Sequence, residues 1–129
     1  MILVDTSVWI EIFRARNPLA IESVVEFEEI VTCLPVVQEV LQGFQDERAF
    51  RVARESFLAL PIVESPVTAG LVEEAAGLYR AARRQGVTVR SSVDCLIAAC
   101  ALRHQLTVLH RDRDFQLLAQ VSPLHQRNL

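Results

Sequence analysis

The N-terminal run Ile2-Leu3-Val4-Asp5-Thr6-Ser7-Val8-Trp9 decides the fold. Three apolar residues in a row, with no polar alternation, predict a short strand buried on both faces, as in a parallel sheet covered by helices. Asp5 ends that strand. Thr6-Ser7 then offers cap residues for a helix carrying Val8, Trp9, Ile10, Ile12 and Phe13.

The same strand-to-helix alternation recurs outward from this start. Asn17-Pro18 breaks the first helix, and a second is expected from Leu19 to Glu29. Ile30 to Leu34 reads as a strand. Pro35 sits where the first turn of a helix tolerates it, ahead of the stripe Val37, Val40, Leu41 and Phe44. A helix from Asp46 to Leu60 and a weak strand at Pro61-Ile62-Val63-Glu64 follow. Thr68 caps a longer helix to Gln85, which Gly86 stops. Ser91-Ser92 opens a helix with Val93, Leu96, Ile97 and Cys100 on one face. Thr107 to His110 is β-rich, Asp112-Arg113-Asp114 opens a short helix over Phe115 to Ala119, and Val121 to His125 reads as extended. Strands alternating with helices predict the α/β class, with a parallel sheet covered on both sides and right-handed crossovers.

Length and composition set the bounds. The 129 residues suit one compact domain spanning 1–129, and 51% hydrophobic with 22% charged residues is a globular rather than a disordered profile. No apolar run reaches the ~20 residues needed to cross a bilayer, and the N-terminus lacks a signal-peptide pattern, so a cytoplasmic protein is expected. Cys33, Cys95 and Cys100 are odd in number and without CxxC spacing, which predicts buried free thiols. A net charge of −3 counts against nonspecific attraction to nucleic acid. All 13 basic residues are arginine. Arginine forks onto phosphate, although genomic base composition is the simpler explanation.

In an open α/β sheet, ligands bind beyond the carboxyl ends of the strands. Asp5 ends the first strand, Asp112 follows the Thr107–His110 strand, and Asp94 and Glu39 fall in early turns of their helices. Each has a structural explanation. Asp5 and Asp112 fit N-caps worth ~1 kcal/mol apiece, Ser91-x-x-Asp94 fits a capping box, and Glu39 fits a solvated surface position. Together they fit a shared site. Two carboxylates ~4 Å apart repel by ~4 kcal/mol at an effective dielectric of ~20. Such a cluster must protonate or take a cation, and a hard ion such as Mg²⁺ or Mn²⁺ prefers oxygen ligands.

These segments carry a family resemblance. Ile2 to Trp9 resembles the opening of PIN domains, Pro35-Val36-Val37-Gln38-Glu39-Val40 their second acidic motif, Val93-Asp94-Cys95-Leu96-Ile97-Ala98-Ala99 the third, and His110-Arg111-Asp112-Arg113-Asp114-Phe115 the fourth. The four motifs cover nearly the whole chain in order, and its length agrees with toxins of the VapC type. The resemblance implies a three-layer α/β/α sandwich and a Mg²⁺- or Mn²⁺-dependent endoribonuclease. It also implies a homodimer and a small VapB-type antitoxin partner. It places Asp5, Glu39, Asp94 and Asp112 in the acidic site. Asp5, Asp94 and Asp112 would be metal ligands, Thr6 or Ser7 a hydroxyl neighbour, and Asp114 an auxiliary ligand or helix cap. Arg90, Arg111 and Arg113 flank these motifs and suit contacts to RNA phosphates, with Arg80, Arg83 and Arg84 further off.

Rival readings are weaker. A phosphoacceptor receiver or aspartate-nucleophile phosphatase calls for a lysine that this chain lacks, and the phosphatase pattern puts aspartate where Ser7 stands. A histidine-based ribonuclease would need His104, His110 and His125 to converge. His104 ends a helix, His125 lies in the tail, and His110 is better placed to support Asp112 or to cap the strand. A PIN-like module that binds RNA or protein without cutting is the remaining alternative, and four intact acids speak against it.

Overall fold

The computed structural model describes residues 1–129. Its sheet has five strands in the order β3-β2-β1-β4-β5, and every neighbouring pair is parallel. These are β1 (Ile2–Val4), β2 (Ile30–Cys33), β3 (Ile62–Val63), β4 (Thr107–His110) and β5 (His125–Asn128). The opening run sits at the centre, with Leu3 and Val4 fully buried and β2 and β4 on either side. That position explains its unbroken apolar character, since both faces of a central parallel strand meet helices.

Six helices cover the sheet in an α/β/α sandwich: α1 (Thr6–Ile12), α2 (Leu34–Gln42), α3 (Glu47–Leu58), α4 (Ala69–Arg84), α5 (Ser92–Arg103) and α6 (Arg113–Leu118). Their starts follow local chemistry. Asp46 Oδ2 accepts from the Ala49 amide at 2.8 Å, and Thr68 Oγ1 accepts from the Leu71 amide at 3.3 Å, each replacing an intrahelical partner the first turn lacks. Gly86, at φ +75°, takes the left-handed position after α4 that a side chain would disfavour. Helix α5 is sunk in the molecule. Cys95, Ile97, Ala98, Ala99, Cys100 and Ala101 are all buried, and the small alanines let it pack closely against its neighbours. The aromatic pair Trp9 and Phe57, with ring centroids 4.7 Å apart, ties α1 to α3. All three cysteines are buried free thiols, as expected.

Three expectations need correction. Residues 19–29 form no helix; they make two single 3₁₀ turns, Ile21–Ser23 and Phe27–Glu29. The i, i+4 pair Ile21 and Val25 is buried as a helix would have it. Between and beyond them lie exposed glutamates and the β-branched Val24, and the chain must straighten into β2 at once. The last strand covers 125–128 rather than 121–125, because its residues are polar and carry no apolar signal. The Ser91-x-x-Asp94 capping box is not formed: the Ser91 side chain makes no cap bond.

Candidate metal centre

The carboxyl ends of β1 and β4 and the first turns of α2 and α5 meet at one edge of the sheet. The path into it begins at Asp5, whose amide donates to the Leu109 carbonyl at 2.9 Å and so pins the end of β1 to β4. Asp5 is 2% exposed and caps α1. Its Oδ2 accepts from the Ser7 amide at 3.0 Å and from the Ser7 hydroxyl at 2.5 Å. The same hydroxyl accepts from the Arg111 amide at 2.9 Å, so Ser7 bridges the two loops that carry Asp5 and Asp112. The expected cap at Thr6 or Ser7 is therefore Asp5 itself, and Thr6 faces elsewhere. Its hydroxyl donates to Glu39 Oε1 at 2.8 Å.

Asp94 lies in the first turn of α5 and is 5% exposed. Asp112 is the N-cap of α6, its Oδ1 accepting from the Asp114 amide at 2.9 Å. Ligand-capable oxygens of Asp94, Asp112 and Asp114 lie within 4.8 Å of one another. Asp114 is the buried member of the last pair, and its carboxylate is already engaged. It accepts from the Arg90 amide at 3.1 and 3.3 Å and from the Ser91 amide at 3.1 Å, clamping the entry to α5. Asp5 and Glu39 stand outside that tightest trio but close enough to feel its charge.

Electrostatics report crowding. Burial, then contact with Asp114, then the charges of Asp5, Asp112 and Asp114 push the Asp94 carboxyl up to about 9. Asp5 is also raised, chiefly by burial, against the lowering effect of its Ser7 bonds. Glu39 is raised by burial and by the charges of Asp5 and Asp112, with the Thr6 hydroxyl pulling the other way. Two buried oxygens here, Asp5 Oδ1 and Asp94 Oδ2, have no hydrogen-bond partner; the third such side-chain atom in the molecule is the Thr32 hydroxyl. Buried polar atoms are rarely left so, and a carboxylate oxygen pays a desolvation penalty of about 1–3 kcal/mol or more. An all-oxygen set with unpartnered buried atoms and a carboxyl forced to hold a proton fits a hard divalent cation.

The basic residues surround rather than fill the site. Arg90 is mostly exposed and spans the rim, 3.8 Å from Asp112 and 4.0 Å from Asp114. Arg111 pairs with Glu11 at 3.4 Å. Arg113 is exposed and pairs with no carboxylate, while Arg80 lines an apolar groove of about 450 Å³ between α4 and α5 that contains no acid. The histidines do not converge. His104 pairs with Glu64 at 2.9 Å beyond the far end of α5, and His125 is exposed on β5. His110 is fully buried beneath Asp112 and accepts the Asp112 amide at Nδ1, 3.1 Å away. Sequence reasoning placed the acids but missed the clamp by Asp114 and the bridge by Ser7. A signal for the first exists: Asp114 shares the buried face of α6 with Phe115 and Leu118.

Comparison with known proteins adds an independent line. Residues 2–121 match the family described as PIN domain. Ribonuclease VapC11 of Mycobacterium tuberculosis is 41% identical over 129 residues, covering 96% of this chain and 96% of its own. Among solved structures, the VapBC-5 toxin–antitoxin protein of M. tuberculosis superposes with a TM-score of 0.71 at 25% identity, covering 98% of this chain and 97% of that one. VapBC-1 from nontypeable Haemophilus influenzae superposes at 0.75 and 18% identity, covering 99% and 98%, a likeness of fold alone.

Proposed function

Since this chain belongs to the PIN-domain family, among the VapC ribonucleases, we propose that it is a divalent-metal-dependent endoribonuclease and the toxin half of a toxin–antitoxin pair. The observation that carries the reading is the pair of buried, unpartnered oxygens on Asp5 and Asp94 beside the crowded Asp112 and Asp114.

Asp5, Asp94 and Asp112 would hold the ion, and Asp114 holds the loop that presents Asp94. When bound, Mg²⁺ or Mn²⁺ supplies a Lewis acid for the phosphodiester and favours ionisation of an attacking water. Glu39 stands beside this trio with its carboxyl raised and steered by Thr6, a position suited to accepting a proton from water or returning one to the leaving oxygen. Ser7 keeps Asp5 and the Asp112 loop in fixed relation. Arg90 and Arg113, exposed at the rim, and Arg111, once released from Glu11, meet RNA phosphates without reading sequence.

VapBC-5 of M. tuberculosis is named as a member of a family of toxin–antitoxin systems. By that likeness the partner of this chain is a small VapB-type antitoxin; a homodimer, implied by the family resemblance, completes the proposed assembly. No helix is long and apolar enough to cross a membrane.

Incubation of the purified protein with total cellular RNA, with Mn²⁺ or with EDTA, tests the reading. Discrete cuts that need Mn²⁺ are expected. Cleavage that survives EDTA would reject the metal role. RNA binding with neither cleavage nor a Mn²⁺-induced rise in melting temperature would favour a non-cutting module.

A further inference from the structure

The C-terminal strand β5 is polar throughout, His125-Gln126-Arg127-Asn128, and burial of apolar surface does not account for its place on the sheet. It lies along β4 in the register Val108↔Gln126 and His110↔Asn128. Side chains two apart on a strand share a face, so Gln126 lies diagonally beside His110. Gln126 Oε1 stands 2.6 Å from His110 Nε2, and the Leu129 amide donates to the His110 carbonyl at 2.8 Å. The imidazole is fully buried, with Phe115 packed against it at a centroid distance of 5.2 Å.

The two ring nitrogens have fixed roles. Nδ1 accepts the Asp112 amide at 3.1 Å, so it carries a lone pair. A neutral ring then has its hydrogen on Nε2, where the Gln126 carbonyl accepts it. Asp112, held at its amide, turns Oδ1 onto the Asp114 amide and leaves Oδ2 free of intramolecular bonds. The chain of contacts runs from Gln126 through His110 to the Asp112 backbone and its carboxylate.

We propose that β5 is a positioning element for the acidic site, with Gln126 fixing the His110 tautomer that holds Asp112 in place. The proposal rests on the acidic-site reading above. A donor in place of the Gln126 carbonyl would force Nε2 to accept. The hydrogen would then sit on Nδ1, facing the Asp112 amide, and the turn would lose its anchor. Partners that orient a metal ligand commonly change metal affinity by about 10–100-fold when removed.

The test uses full-length protein labelled with ¹⁵N. In the wild type, His110 is expected to show an unprotonated Nδ1 and a protonated Nε2. Gln126→Met removes the acceptor at similar volume. It is expected to speed exchange of the Asp112 amide about tenfold, while the Leu3 and Val108 amides keep their protection, and to weaken Mn²⁺ binding by about tenfold. His110→Asn, whose amide oxygen can stand where Nδ1 stood, should retain more Mn²⁺ affinity than His110→Gln, which reaches toward Gln126 instead. Unchanged Asp112 exchange in Gln126→Met overturns the proposal. So does faster exchange with Mn²⁺ affinity within about twofold of wild type, the result expected of a merely structural strand. If the wild type takes up no Mn²⁺, the acidic-site reading fails, and the exchange result alone decides whether β5 holds Asp112.

Discussion

Helix α5 joins two polar clusters built on opposite plans. At its last turn Arg103 donates from Nε to Glu74 at 2.7 Å and from Nη1 to Glu64 at 3.1 Å, and Glu64 also meets His104 at 2.9 Å. Each acid there has a basic partner, and Arg103 holds the Glu74 carboxyl below its ordinary range. At the first turn, Asp94 faces Asp5, Asp112 and Asp114, its carboxyl is pushed up to about 9, and the nearest arginine hangs at the rim. Both ends suit the helix dipole, with acid at the N-terminus and base at the C-terminus. What separates them is completeness. In the far cluster every carboxylate meets a basic side chain near the surface. The near one is buried, short of positive charge, and leaves two oxygens without partners.

If that contrast marks a cation site, its largest consequence falls on Asp94. Asp94→Asn keeps the size of the side chain and removes the charge. It should lower Mn²⁺-dependent RNA cleavage by about 100-fold or more, since it removes a ligand rather than a ligand's support. Its metal-free melting temperature should equal or exceed wild type, because repulsion is relieved. A variant that fails to fold would instead make Asp94 a scaffold residue.

The next effect is on pH dependence. The Asp94 carboxyl moves from an ordinary 3.8 to about 9 on folding, so between those values the native state holds a proton that the unfolded chain has released. Its stabilising contribution is complete below about pH 4 and is lost as pH rises toward 9. Asp5 and Glu39, also raised, act in the same direction. The metal-free melting temperature should therefore fall across this window, and saturating Mg²⁺ should flatten the fall. A metal-free protein that grows more stable with rising pH would contradict the crowding.

Smaller effects sharpen the comparison. Thr6→Val removes the hydroxyl that steers Glu39. Cleavage should drop by roughly tenfold at neutral pH with folding intact, less than the roughly 10²–10⁴-fold that removing a proton-transfer group outright would cost. Arg103→Ala, at the far end of α5, should leave Mn²⁺ affinity and cleavage unchanged and move the melting temperature by only a few degrees, as expected of exposed ion pairs. Loss of Mn²⁺ binding in that variant would break the claim that the two clusters are independent.

The sequence exposes these features unequally. Strands β1, β2 and β4 are legible because a buried parallel strand must be apolar at every position, and Asp46, Thr68 and Gly86 mark helix ends through chemistry that acts within a few residues. The gathering of Asp5, Glu39, Asp94 and Asp112 at one edge was also legible, since strand ends and helix starts converge there in any parallel sheet. What hid were arrangements made through space. Ile21 and Val25 carry helical spacing, and the Val25 amide donates to the Ile21 carbonyl at 3.0 Å, yet only a single 3₁₀ turn forms there, because docking onto the core outweighs a weak local preference. Strand β5 has no apolar signature, being held by backbone pairing and by Gln126. The support of Asp112 by His110 was legible, but the Gln126 partner of His110 and the partners that Ser7 and Asp114 find are fixed only by the fold.

The most direct test of the cation site is anomalous diffraction from crystals grown with Mn²⁺. The account predicts a manganese peak bound by carboxylate oxygens of Asp5, Asp94 and Asp112, absent in Asp94→Asn crystals grown alike. Crystals of the wild-type protein with no peak among those acids at saturating Mn²⁺ would contradict it.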